Sequence, residues 1–203
     1  MLRLQIVDDT AARLQESLLS GELDVAVYAT PMVPPDPRLH YLPLYRERYV
    51  IVLRPDHRLA AGKAVCVRDL DGEHYLSRIN CEYDAPASQV FEEQRADCET
   101  VYESERDDWI LAMAAAGMGF GFMPELSARH PGVVALPLIE PEMWREVALV
   151  TVRGRHYSAA AGSLVREAMR KRWNGQPALA VAATREERVE AAAPSRRRRA
   201  LAK

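Results

Sequence analysis

The sequence predicts an α/β fold divided between two lobes, and three observations carry that expectation. Short apolar runs of strand character alternate with helical spacings along residues 2–173, the pattern of sheets with helices on their faces. The strand candidates are numerous for a single sheet in a chain of 203 residues, so two smaller lobes fit better. Residues 109–124, WILAMAAAGMGFGFMP, join a helix to a strand through glycines, placing small side chains where another backbone must come close.

Taken in order, residues 2–7 read as a strand, with Leu4 and Ile6 on one face. Asp8 or Asp9 can cap a helix through Ser20, with Ala11, Leu14 and Leu18 at helical spacing and Gly21 as its stop. Residues 23–28, LDVAVY, are nearly continuous in apolar residues, as a buried parallel strand is, so the chain is expected to open as β-α-β. Four prolines follow between 31 and 37, in a loop at the carboxyl end of a strand, where open α/β sheets bind ligands. Residues 39–45 and 49–53 are two further strands. Residues 74–79, HYLSRI, are another, and 84–94 a helix with Pro86 in its first turn.

After a short strand at 99–103, Ser104 and Asp107 form an S-x-x-D capping box for the helix that follows. Trp109, Met113 and Gly117 share one face of it, with Ile110 and Ala114 beside them; Gly117 ends it, and a strand at 119–123 stops at Pro124. A brief helix at 125–129 and strands at 133–138 and 146–152 precede a last helix, capped by Ser158 and striped by Ala161, Leu164, Val165, Ala168, Met169 and Trp173. Asn174-Gly175 ends it. The alternation predicts a mostly parallel sheet. The chain is expected to cross between lobes at about 53–60 and to return near 144–150. This divides it into lobe I (1–54 and 145–175, incomplete), lobe II (55–144) and a disordered basic tail (176–203).

Composition narrows the function. Charged residues make up 28% and hydrophobic residues 48% of the chain, an ordinary globular balance. There is no apolar run long enough to span a bilayer and no signal-peptide core at the N-terminus, which sets the expected location as the cytoplasm. Cys66, Cys81 and Cys98 form no C-x-x-C pair, against a disulfide framework or a structural zinc site. Residues 185–203 hold seven Lys/Arg and three Glu, a local +4 within a chain of net −2, which leaves −6 for residues 1–184. A body of that sign is no nucleic-acid surface by bulk electrostatics, and the run 195–199, SRRRR, reads as a solvated tail before it reads as a contact for acidic surfaces. No nucleophile elbow, P-loop or metalloprotease motif is present, the five histidines are scattered, and the glycine rhythm at 117–121 enters a strand rather than a helix. No enzyme, cofactor or metal is expected.

An ordered set of segments carries a resemblance: LLSGELDVAVY, LHYLPLYRERYVIVLRPDHRLA, VRDLDGEHYL, LAMAAAGMGFGFMPE and GVVALPLIEPEMWREVALVTVRG. At these separations the chain resembles the effector-binding domain of LysR-type transcriptional regulators over about residues 4–173. The resemblance implies two Rossmann-like lobes of periplasmic-binding-protein type II architecture, joined by two crossover strands, with a small polar or anionic effector in the cleft. It implies homo-oligomers through the effector domain, no membrane, and DNA contact only through a helix-turn-helix that this chain lacks. The family's first strand and helix have no counterpart before Leu2. The chain is therefore expected to be truncated at the N-terminus, with an exposed strand edge and an uncovered apolar face in lobe I.

Thr30 occupies the position that faces the effector in the family, against its reading as a turn threonine before proline. Ser77, Arg78, Asn80 and Cys81 lie at or beyond the end of HYLSRI, where lobe II meets the cleft. Arg78 would clamp an anion, against a solvated edge arginine. Strand alternation points Ser77 away from Arg78 and Asn80, so not all of them can face one ligand. Gly119 and Phe122 are expected to give the site backbone N–H groups and an aromatic wall, with the core reading favoured for Phe122. Some relatives sense oxidants through cysteines, so Cys81 is a redox candidate, though an inert thiol fits better beside Glu82. The alternative to a regulator is a free-standing small-molecule-binding protein of the periplasmic type.

Overall fold

A computed structural model describes residues 4–30, 35–79, 84–173 and 176–177. The elements are α1 (Ala11–Ser20), β1 (Ala26–Ala29), β2 (Leu39–Leu53), β3 (Val65–Cys66), β4 (His74–Arg78), α2 (Asp84–Glu93), β5 (Glu99–Ser104), α3 (Asp107–Ala115), β6 (Phe120–Pro124), β7 (Val134–Ile139), β8 (Trp144–Val152), α4 (Ala159–Arg170) and β9 (Gln176–Pro177). The main sheet runs β1-β8-β2-β6-β4-β5.

β2 organises it. The two strands expected at 39–45 and 49–53 are one strand of 15 residues, irregular only between Pro43 and Tyr45. Its first part, Leu39 to Arg48, pairs with β8; its last part pairs with β6 on one side and β7 on the other. The partner change falls at Arg48–Tyr49, earlier than the expected 53–60. The chain returns at Met143–Trp144: Met143 packs in the second core, while Trp144 already pairs with Arg48.

Each half of β2 has core on both faces. Beyond the switch, Tyr49, Ile51 and Leu53 pack with Phe91, Phe120, Phe122 and Leu138. Val50 and Val52 point the other way, to Leu76, Ile110, Leu111 and Ala114 beneath α3. In lobe I, α1 sets Leu14 and Leu18 against Tyr28, Leu39, Ala148 and Val150, while α4 covers Leu44 and Leu149 from the opposite face with Val165. Gly121 shows why glycine is required beneath α3. A Cβ there would lie 2.9 Å from the methyls of both Ile110 and Val52.

Several expectations are corrected. Pairing is antiparallel for β1–β8, β2–β8, β2–β6 and β2–β7, and parallel only for β3–β7, β4–β5 and β4–β6. A continuous apolar run reports burial on both faces, not strand direction. Residues 4–7 form no strand; Leu4 and Ile6 are exposed, and β1 stands at the end of the sheet, so no opening β-α-β forms. Thr10, not Asp8 or Asp9, caps α1. Ser104 ends β5 and its Oγ accepts from the Arg106 N–H, so α3 begins without a side-chain cap. The buried face of α3 is Ile110, Leu111 and Ala114, and Trp109 is exposed. Residues 125–127 are a turn rather than a helix.

Gly117 ends α3 as expected, at φ +79° with its N–H on the Ala114 carbonyl. Ser158 caps α4 through the Ala161 N–H, but that helix stops at Arg170. Residues 176–177, expected in the tail, add β9 against Tyr45 and Arg46. Asn174, Gly175 and the tail beyond Pro177 lie outside the described residues.

Lobe I holds α1 by few anchors, so their removal is a sharp test. Leu18 is fully buried, and Leu18→Ala is expected to cost about 2–4 kcal/mol in urea unfolding. Leu164→Ala, on the exposed side of α4, is expected to stay within about 0.5 kcal/mol.

Candidate functional site

The candidate site lies where the strands of the two lobes end beside the crossover. β1 delivers Thr30 there. The Thr30 N–H donates to the Glu146 carbonyl at 2.7 Å, which fixes the backbone next to β8. Its Oγ1 is buried with no hydrogen-bond partner among the described residues. An orphaned buried hydroxyl costs about 1–3 kcal/mol, so the site carries an unmet polar demand.

On the far side of the crossover, β4 delivers Ser77 and Arg78 to opposite faces. Ser77 is 7% exposed and turns toward α2, into a cavity of about 600 Å³ that Tyr75 and Phe91 also line. Arg78 turns toward α3, where its Nε meets Asp107 Oδ1 at 2.6 Å. That pair is largely sheltered, and Asp107 stands in the first turn of α3, where a carboxylate also suits the helix dipole. The guanidinium expected to clamp an anion thus already holds a carboxylate of its own chain. Asn80 and Cys81 lie outside the described residues.

The other two expected site residues are elsewhere. Gly119 is at the opposite end of the lobe II sheet: β6 runs parallel to β4 with Phe120 opposite Tyr75, which sets Gly119 beside His74. A Cβ on Gly119 would collide with the His74 carbonyl oxygen, so this glycine serves close strand packing. Phe122 is 1% exposed and stacks on Tyr49 with ring centroids 4.5 Å apart. It is a core residue and offers no wall to a ligand.

Sequence reasoning missed the most buried charge near the site, Glu47. Its carboxylate accepts from Arg145 Nε at 2.9 Å through Oε1 and from the Leu126 N–H at 2.8 Å through Oε2. Arg145 belongs to β8 in lobe I, and Leu126 to the turn after β6 in lobe II, so one carboxylate ties the two lobes at the partner switch. Arg48 pairs with Glu125 at 2.9 Å across the same boundary, in a far more exposed setting. Arg46 lies over the Trp144 ring at 5.4 Å. The signal was present in YRERYV: three consecutive charges inside an otherwise apolar strand must be paired wherever the strand is covered.

Among the described residues no group of three or more His, Cys, Asp or Glu side chains is placed to hold a metal ion. No described helix is long and apolar enough to cross a membrane. Burial pushes the Cys98 thiol up to about 11, with Asp71 and Asp97 adding to the effect, and burial also raises Cys66.

The two neighbouring ion pairs at the crossover differ in burial. Glu47→Ala removes a buried carboxylate that engages both Arg145 and the Leu126 N–H, and is expected to cost about 3–5 kcal/mol in denaturant unfolding. Glu125→Ala breaks an exposed pair and is expected to cost under about 1 kcal/mol.

The chain is 27% identical over 169 residues to the uncharacterized HTH-type transcriptional regulator YwbI of Bacillus subtilis, covering 77% of this chain and 53% of that protein. The chain spans about half the length of the curated relatives it matches. The crystal structure of the oxidized form of OxyR superposes with a TM-score of 0.65 at 31% identity, over 82% of this chain and 80% of that one. The effector binding domain of QuiR in complex with shikimate gives a TM-score of 0.68 at 21% identity, over 80% of this chain and 78% of that one. A family profile, the LysR substrate binding domain, matches residues 1–173, and the chain belongs to that family.

Proposed function

We propose that this chain is the sensing part of a LysR-type transcriptional regulator and takes a small polar or anionic metabolite between its lobes. The observation that carries the reading is Thr30, a buried hydroxyl without a partner among the described residues at a strand end beside the crossover. A ligand carboxylate or carbonyl placed there would accept its hydrogen bond and offset the orphan's cost. The QuiR domain supports the same chemistry, since shikimate is a small hydroxylated acid and that domain shares this fold. DNA binding, oligomer formation and a cytoplasmic setting follow from the regulator reading. They belong to the proposal in the same way, with any DNA contact made through a helix-turn-helix outside the residues given. Arg78 enters as a positioning residue for α3 through Asp107 rather than as a free anion clamp.

A thermal unfolding series of the full chain across hydroxy acids, aromatic acids and amino acids tests this. A native-state ligand raises the midpoint by mass action, and about 100 Kd of ligand adds roughly 2.7 kcal/mol. The expected outcome is a rise specific to one acid that Thr30→Val removes. A cooperative melt that no member of the panel moves, or a rise that Thr30→Val leaves intact, refutes the reading.

The likeness to the oxidized form of OxyR raises oxidant sensing as a second reading. Cys66 and Cys98 do not support it, because raised thiols are neutral at pH 7 and weakly nucleophilic. The sign of the linkage is testable. Native Cys98 holds its proton to about 11, above the usual 9.0, so its contribution to stability is complete below pH 9 and is lost as the pH rises toward 11. Urea midpoints of the wild type are expected to fall more steeply over that window than those of Cys98→Ala.

A further inference from the structure

We propose that Arg46 is the anion contact of the effector site, and that the ligand it takes is a small hydroxy acid whose carboxylate meets Arg46 while a second polar oxygen meets Thr30. The inference deepens the effector reading and rests on it.

Strand register brings the two residues to one level. Thr30 follows β1, whose Ala29 pairs with Val147, and the Thr30 N–H lies on the Glu146 carbonyl. Glu146 in turn pairs with Arg46 of β2. Thr30, Glu146 and Arg46 therefore form a row across β1, β8 and β2, and residues directly opposite one another share a face of the sheet. Adjacent strands are about 4.8 Å apart, so the two ends of the row are about 10 Å apart at the backbone. With a short side chain at one end and a long one at the other, that span suits a small organic acid rather than a single ion.

Arg46 differs from the other arginines at the crossover. Arg48 pairs with Glu125, Arg145 with Glu47 and Arg78 with Asp107, so each spends N–H groups on a carboxylate of its own chain. No ion pair joins Arg46 to a carboxylate among the described residues, Glu146 across the ladder included. Its contact is the face of the Trp144 ring, with 5.4 Å to the centroid. Trp144 pairs with Arg48 and precedes Glu146 by two residues, so it lies on the same face and one step nearer the partner switch. The indole thus draws the guanidinium toward the level at which β1 ends.

That setting suits anion recognition. An aromatic face attracts a cation through its charge and takes up no N–H group. The guanidinium is held in place while its planar fork stays available to a carboxylate, which it can bind bidentately. Glu146, between the two ends of the row, adds a condition. Its charge favours a neutral oxygen over a second carboxylate at the Thr30 end.

Isothermal titration of the full chain with lactate, 4-hydroxybenzoate and shikimate, each beside its primary amide, reads Arg46 apart from Thr30. The amides keep the shape and the hydroxyl and lose the charge. The expected result is saturable binding of at least one acid, at least about tenfold tighter than its amide, as a charge-assisted pair requires. Arg46→Gln is expected to keep a cooperative melt and to bind acid and amide alike. Arg46→Lys keeps the charge without the planar fork and is expected to retain part of the preference. Thr30→Val is expected to weaken acid and amide together and to leave their ratio unchanged. An acid preference that survives in Arg46→Gln overturns the proposal, and so does equal binding of acid and amide by the wild type. In that second case, weakening of both by Thr30→Val leaves the effector reading standing while the Arg46 assignment falls. Absence of saturable binding by every probe also overturns the assignment, and the wider thermal series then decides the effector reading by itself.

Discussion

One strand has to serve two lobes, and most of this architecture follows from that constraint. β2 is hydrogen-bonded to β8 up to Arg48 and to β6 and β7 from Tyr49 onward. In its second half it alternates strictly, so that both of its faces feed a core. At the switch that alternation gives way to Arg46, Glu47 and Arg48. A strand cannot pass between two packed bodies without some of its side chains being covered by both. Glu47 is the residue caught there, with 2% of its surface exposed. A carboxylate in that position survives only if its oxygens are engaged, and each lobe supplies one donor.

The register of β2 then sets where everything else arrives. Because Arg46 pairs with Glu146, and Glu146 holds the Thr30 N–H, the end of β1 is fixed at the level of the crossover. Because Val52 pairs with Gly121, and Gly121 with Leu76, the end of β4 reaches the same level from the other lobe. Thr30 Oγ1 is the buried side-chain oxygen left without a partner among the described residues near those ends, whereas Ser77 lines the flank cavity under α2.

Legibility in the sequence followed the physics of each feature. The helices α1, α2, α3 and α4 were readable within a few residues, because 3.6-residue periodicity and terminal signals such as Gly21, Gly117 and Ser158 are local. Strand existence was readable too, since short apolar runs stand out. Strand direction was not, because a run such as LDVAVY reports burial alone, and β1 proved antiparallel to β8. The two-residue β3 carried no periodic signal at all. Among site residues, the alternation of Ser77 and Arg78 was correctly anticipated from the pleat. What a single strand could not reveal was that Arg78 would meet Asp107, 29 residues later, or that Phe122 would stack on Tyr49, 73 positions earlier in the chain. Those are tertiary pairings, and only the assembled sheet makes them.

The energies of the crossover also limit how a ligand could act. A ligand shifts a conformational equilibrium only by the difference in its affinity for the two states. A metabolite of micromolar affinity binds with about 8 kcal/mol in total, and only part of that differs between two lobe arrangements. Separating Glu47 from Arg145 or from the Leu126 N–H would cost about 3–5 kcal/mol, a large share of what such a ligand has to give. The exposed Arg48–Glu125 pair, by contrast, can open for under about 1 kcal/mol. Any ligand-driven rearrangement of the lobes is therefore cheapest as a rotation that keeps the Glu47 contacts and exchanges the outer pair for water. The pivot of such a motion is the carboxylate itself, and the groups that move furthest are those at the strand ends on either side of it.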